Sequence, residues 1–264
     1  MSATAALPGA WGAPGRTAAA RSRLAHVASA ISVIPLGRRA RWAVILLAAV
    51  IAIDVIAIGS DLWQIVLINR FQDGTDVDSG PLASSDDRQS IVSAFQFLTL
   101  LVSAVVFIRW FHAAYRNIAS LGAPPLRFKT GWAIGGWFVP ILSLWRPKQI
   151  ADDIWRGSDP DAPAVQEPGA HSDDDGRLLT TWWALWIISV FVGNVAARLF
   201  FSADSLSDIR DSDALDMASL AVDVSAAVYA ILVVRHITSR QAQRVERLTE
   251  YPPFGAVAGM TTGV

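Results

Sequence analysis

The sequence predicts an all-α fold: an integral membrane helical bundle of four transmembrane helices in two hairpins, with a short Gly/Pro-broken re-entrant or interfacial segment between them. Three observations predict it. Of 264 residues, 53% are hydrophobic and only 17% charged, and the charges are confined to a few loops. Apolar runs such as WAVILLAAVIAI continue unbroken, where an amphipathic helix in water would insert a polar residue every three or four positions. One further apolar stretch, at 131–147, is too short to cross a bilayer.

Taken in order, residues 1–35 are rich in Ala, Gly, Pro and Ser with scattered Arg, and read as a disordered cytoplasmic tail. A single membrane domain is expected over 36–247. Its first span is WAVILLAAVIAIDVIAIGSDLW, 42–63, about 30 Å of helix. A polar loop carrying Asp73, Asp76, Asp78, Asp86 and Asp87 leads to the second span, SIVSAFQFLTLLVSAVVFIRW, 90–110. HAAYRNIASLGAPPLRFKT follows as a short helix ended by Gly122 and the Pro124–Pro125 pair. After the 131–147 segment comes a loop rich in Pro, Asp and Gly. The remaining spans are LLTTWWALWIISVFVGNVAARLF, 178–200, and 214–235, separated by an acidic loop at 202–213, and 248–264 is expected to be a flexible tail.

Lys and Arg near the span ends set the orientation. The Arg-rich N-terminus, the 109–129 region and the Arg-rich C-terminus are all expected in the cytoplasm, which four crossings satisfy and a fifth violates. The segment GWAIGGWFVPILSLWRPKQ therefore should not cross. Its roughly fifteen helical residues reach only about 22 Å, and Gly131, Gly135, Gly136 and Pro140 weaken a continuous helix. It is expected to dip in and return, or to lie at the interface, with Arg146 and Lys148, on either side of Pro147, anchoring its exit on the cytoplasmic side. Trp132, Trp137 and Trp145 suit the headgroup boundary, as do Trp42, Trp63, Trp110, Trp182 and Trp183 at the span ends.

RWFHAAYRNIASLG, GWAIGGWFVPILSLWRPKQIADDIWRGSDP, WWALWIISVFVGN and ITSRQ together resemble domain-of-unknown-function family 4328, a group of bacterial multi-pass membrane proteins. The likeness covers about 40–245, and G-W-x-x-G-x-W-F-x-P-I-x-x-L-W-R-P at 131–147 is its most specific part. Ser143 and Lys148 depart from the family pattern, which commonly has Asn and an aromatic there. The resemblance implies a membrane location and one domain, and no activity.

Asp54 and Asp223 fall near the middle of the first and last spans, where a carboxylate costs several kcal/mol unless paired, hydrated or protonated. Asp61 shares a helical face with Asp54, and Asp216 and Ser219 share one with Asp223. Ser93, Gln96 and Ser103 form a polar stripe on the second span, and Asn194 and Arg198 one on the 178–200 span. Two readings are open. In one, Asp54 and Asp223 bind a cation or proton, with Arg198 as partner to Asp61 or Asp216. In the other, these groups hydrogen-bond between helices and hold the bundle together.

Catalytic signals are lacking. His26, His112, His171 and His236 are scattered without metal-ligand spacing, there is no cysteine, and no nucleophile elbow or phosphate-cradling glycine loop is found. Asp152 and Asp153 read as the solvated side of an amphipathic helix, and with a net charge of −1 there is no basic patch for nucleic acid. The expectation is a non-enzymatic integral protein of the cytoplasmic membrane, without cofactor or metal. It would act through contacts with lipid, a second copy or another membrane protein. The alternative is a small transporter or channel-like protein in which the broken segment lines a path past Asp54 and Asp223.

Overall fold

The computed structural model describes residues 33–73, 79–123, 125–162 and 176–250, with side chains in the second stretch from residue 87 onward. Apart from residues 33–35 and 248–250, both expected tails lie outside these, as do Asp76, Asp78 and the 163–175 loop. The elements are α1 (Gly37–Gln72), α2 (Ser79–Ser120), α3 (Trp132–Gly135), a single 3₁₀ turn (Leu142–Leu144), α4 (Arg146–Gly157), α5 (Arg177–Phe201) and α6 (Leu206–Glu250). Among the described residues there is no strand, and four helices, α1, α2, α5 and α6, are long and apolar enough to cross a membrane.

The helices overrun the expected spans. HAAYRNIAS is no separate helix but the last two turns of α2, which stops where Gly122 takes a positive φ of 79° and Ile118 O accepts from both Leu121 N and Ala123 N. The acidic stretch expected as a loop up to 213 is helical from Leu206, because Ser205 caps it: its Oγ accepts from Asp208 N at 3.2 Å. Asp213 is thereby carried onto the bundle end of α6.

The four long helices stand in the order α2–α1–α6–α5, each antiparallel to its neighbour. Small side chains let the central pair approach: Ala40, Ala43, Val50 and Ala57 of α1 face Ala226, Ala227, Ala230, Val233 and Val234 of α6, all buried. On α5, Gly193 admits Ser219, whose Oγ would lie 3.0 Å from a Cβ placed there, and Ser219 Oγ donates to Ser189 O.

Residues 128–147 fill the gap between α2 and α5 at one end of the bundle as a wedge. Tyr115 Oη clamps its start, accepting from Phe128 N and donating to Phe128 O. The chain then runs inward until the Trp137 ring packs against Phe107, Phe111, Trp183 and Trp186, with centroids 5.6–6.0 Å apart. It comes back to place the Arg146 guanidinium 4.0 Å over the Phe128 ring. Start and exit therefore meet, and since Phe107 lies two turns along α2 from Tyr115, the excursion is about 12 Å deep. The segment is re-entrant and does not cross. Its turns keep their backbone bonded: Phe138 N to Gly135 O, Ser143 N to Val139 O, and Trp183 Nε1 to Leu144 O.

The tryptophans divide against expectation. Trp42, Trp63, Trp132 and Trp145 are exposed and suit a headgroup boundary, but Trp110, Trp182 and Trp183 are buried, and Trp137 sits among the rings at the wedge tip. Stacking within the bundle outcompetes the interface for these four.

Beneath the wedge, α4 buries Ile150, Ala151, Ile154 and Trp155, while Asp152 pairs with Lys148 and Asp153 with Arg127 at 3.1 Å. A polar lock completes this end. Gln241 donates to Ala114 O and Ser158 Oγ, and Asn117 bonds both Gln241 and the backbone of Ile34. Arg244, 2% exposed, donates to Leu121 O, Asp159 O and Ala162 O, so one guanidinium serves carbonyls just beyond the C-termini of α2 and α4.

Candidate functional site

With the wedge occupying one end of the α2–α5 gap, the described residues leave the other end open. It forms a cavity of about 270 Å³ lined by Asp61 and Ala57 of α1, Gln89, Val92, Ser93 and Gln96 of α2, Ala196, Ala197, Phe200 and Phe201 of α5, and Ser212, Asp213 and Asp216 of α6. Its floor is acidic because the antiparallel register of α1 and α6 sets Asp61 among Asp213 and Asp216.

Asp61 and Asp213 are 4% and 5% exposed, and each has a buried Oδ2 without a hydrogen-bond partner. The other Asp61 oxygen accepts from Gln89 Nε2 at 2.5 Å. Arg88 stands at the rim, donating from Nε and Nη2 to the hydroxyl and carbonyl of Ser60, which is also bonded to Gln89, and lies close enough to act electrostatically on Asp61. Two turns deeper, about 10 Å along the helices, Asp54 and Asp223 face one another across the central seam. Gln96 Nε2 donates to Asp54 at 3.3 Å and Ser189 Oγ to Asp223 at 3.1 Å, while the second oxygen of Asp54 is buried and without a partner. Beyond this pair the seam is closed by the apolar side chains named above, from Val50 to Ala43 and from Ala226 to Val234. The carboxyls thus form a ladder that starts at the cavity and ends blind.

Asp54, Asp61, Asp216 and Asp223 are all brought to one interior surface, as their helical phase predicts, with Ser93 and Gln96 opposite. Asn194 and Arg198 are not. Both are exposed, and Asn194 Nδ2 donates to Val190 O on its own helix. Ser189, Gly193 and Ala196 take the inward face of α5, so Arg198 points away from Asp61 and Asp216, and among the described residues the cation acting on Asp61 is Arg88. Sequence reasoning missed Asp213, Gln89 and Ser189 as members of this interior. Asp213 is three residues before Asp216, and that spacing alone would have put it on the same face had 206–213 been read as helix.

The wedge motif serves geometry. Gly136 is its tightest point: a Cβ there would lie 2.8 Å from Trp132 O and 3.0 Å from Arg146 Cγ. Gly131 and Gly135 meet nothing within 4 Å. Pro140 is exposed, Ser143 Oγ donates to its carbonyl at 2.7 Å, Trp145 precedes α4, and Pro147 lies in the first turn of α4. Phe138 and Ile141, 71% and 69% exposed, turn outward. No group of three or more His, Asp or Glu suited to a metal ion occurs among the described residues.

Four membrane-length helices, a re-entrant wedge and an acid-lined interior define a polytopic α-helical membrane protein. The chain belongs to the family described as Domain of unknown function (DUF4328), whose sequence profile matches residues 73–239, from the end of α1 to within α6 and including the whole wedge. No curated protein and no solved structure shows significant similarity to it.

Proposed function

We propose that this protein is a non-enzymatic component of the bacterial cytoplasmic membrane, with both termini in the cytoplasm, that takes a cation or proton into its acid-lined interior. The observation that carries the reading is the pair of buried, unpartnered carboxylate oxygens, on Asp61 and Asp213, at one cavity. Buried carboxyls without partners are costly, and a bound cation or proton removes that cost. Asp54 and Asp223 extend the acidic surface to mid-bilayer, where two adjacent carboxyls are stable together when they share a proton or a cation. The blind end of the ladder supports binding with access from one side, or one state of an alternating pathway, over an open pore.

Sodium- and proton-dependent flux into liposomes containing the protein, together with equilibrium cation binding, tests this. Asp54→Asn and Asp223→Asn should each abolish the signal while the protein still inserts. Wild-type protein that neither binds nor passes a cation would defeat the proposal. A second reading, action through contacts with lipid or another membrane protein, draws support from Phe138 and Ile141 exposed on the wedge.

A further inference from the structure

We infer that the cavity between α2 and α5 binds an ammonium group carrying an apolar body. This rests on the cation reading above and names the class of cation. The first argument is the donor set. A hard metal ion needs about six or more oxygens converging at 2.3–2.6 Å, whereas the carboxyls here are strung along two helices, and no group among the described residues is suited to a metal. An ammonium needs far less. One or two carboxylate oxygens on its N–H groups suffice, and Asp61 and Asp213, each with a buried Oδ2 that has no partner, both line the cavity.

The second argument is size and wall chemistry. About 270 Å³ is several times the roughly 30 Å³ share of a water molecule, far more than a single ion fills. Above the acidic floor the lining is Val92, Ala196, Ala197, Phe200 and Phe201, and the two Phe rings stand 5.8 Å apart, nearly edge to face. Rings of this kind hold both alkyl chains and cations. Charge complementarity agrees: among the described residues, three carboxyls, Asp61, Asp213 and Asp216, gather here, and one guanidinium, Arg88, acts on Asp61.

The third argument is depth. Phe201 is the last residue of α5, the shortest of the four long helices, and Gln96 lies about 10 Å further in than Gln89, so the cavity sits at the end of α5, where an amphiphile would place its charged head. The ammonium can arrive on a soluble amine or on an aminophospholipid headgroup.

The test uses the full chain in nanodiscs of phosphatidylcholine and phosphatidylglycerol, titrated calorimetrically with hexylammonium, ethylammonium, hexanoate and Ca²⁺ against empty discs. Saturable hexylammonium binding is expected, roughly tenfold or more tighter than ethylammonium, with no hexanoate binding. The Asp61→Asn/Asp213→Asn double variant should weaken it by at least about tenfold. Phe200→Ala and Phe201→Ala, both at exposed side chains, should erase the preference for hexyl over ethyl, and they carry the test if the double variant fails to insert. Phosphatidylethanolamine in the discs that competes with hexylammonium would identify a lipid source, and no competition a soluble amine. Hexylammonium binding no greater than in empty discs, or unchanged in the variants, overturns the inference. If Ca²⁺ or Na⁺ then binds in an Asp61- and Asp213-dependent way, the broader cation reading survives, and if nothing binds both fall.

Discussion

Asp153 and Arg198 are both charged residues on helices, yet their surroundings give them opposite roles. Asp153 has a 14% exposed side chain on α4, with Arg127 3.1 Å away and its Oδ2 buried and unbonded. Burial pushes its carboxyl above the ordinary range, and Arg127 and Arg156 only partly offset this. A raised folded-state value means the folded protein holds the proton more tightly than the unfolded chain. That contribution is present at low pH and is lost as pH rises through the raised value. Asp153→Asn, which mimics the protonated form, should therefore gain on the wild type as pH increases, ending within about 1 kcal/mol of it or above it at pH 8. Unfolding in detergent between pH 4 and 8 checks this, and a variant that loses ground as pH rises would show that the Arg127 pair dominates. Arg198 lies on the exposed side of α5, where its charge meets no carboxylate partner among the described residues. A one-dimensional pattern places Asn194 and Arg198 on a common face. Which face turns inward is decided by Ser189 and Gly193 seating Ser219.

At the scale of elements, the wedge was legible in outline: too short, too rich in glycine and flanked by Arg. Its purpose in the fold was not. Trp137 looks like a headgroup anchor until Phe107 and Phe111 from α2 and Trp183 and Trp186 from α5 are brought around it, and those residues lie up to about fifty positions away. Gly136 carries the clearest prediction here. Adding a methyl group drives it into the Trp132 carbonyl and the Arg146 side chain, so Gly136→Ala should destabilise the protein by about 1–3 kcal/mol, whereas Gly131→Ala and Gly135→Ala, facing open space, should not. Thermal unfolding of the three variants, followed by tryptophan emission, separates them, and equal loss in all three would place the constraint elsewhere. The misplaced boundary at 206–213 has a plain cause as well. Asp and Ser there suggest a solvated loop, but the Ser205 cap starts the helix and α1 covers its Asp213 side.

For the whole molecule, the meeting of Phe128 with Arg146 returns the wedge to the side it came from, so the bundle has four crossings and the loops at 158–162 and 202–205 lie on opposite sides. The absence of cysteine makes this measurable. Ser158 is fully buried and unsuited to labelling, but Asp161 and Asp204 are exposed. With an impermeant thiol reagent, Asp204→Cys should react in intact cells and Asp161→Cys only after the cells are opened. Reaction of both in intact cells would contradict the four-crossing fold, and the reverse pattern would invert the orientation. By itself the sequence determined the solvent, the number of spans, the antiparallel hairpins and the helical phase of Asp54, Asp61, Asp216 and Asp223. These follow from local hydrophobicity, periodicity and the Lys/Arg distribution. Only the tertiary structure decided that α1 and α6 form the central pair, that Asp213 and Gln89 join the acidic surface while Arg198 leaves it, and that the wedge fills one end of a gap whose other end stays open. Each of these depends on which small residues allow which helices to approach, and close approach is a property of pairs of surfaces that no single stretch of chain contains.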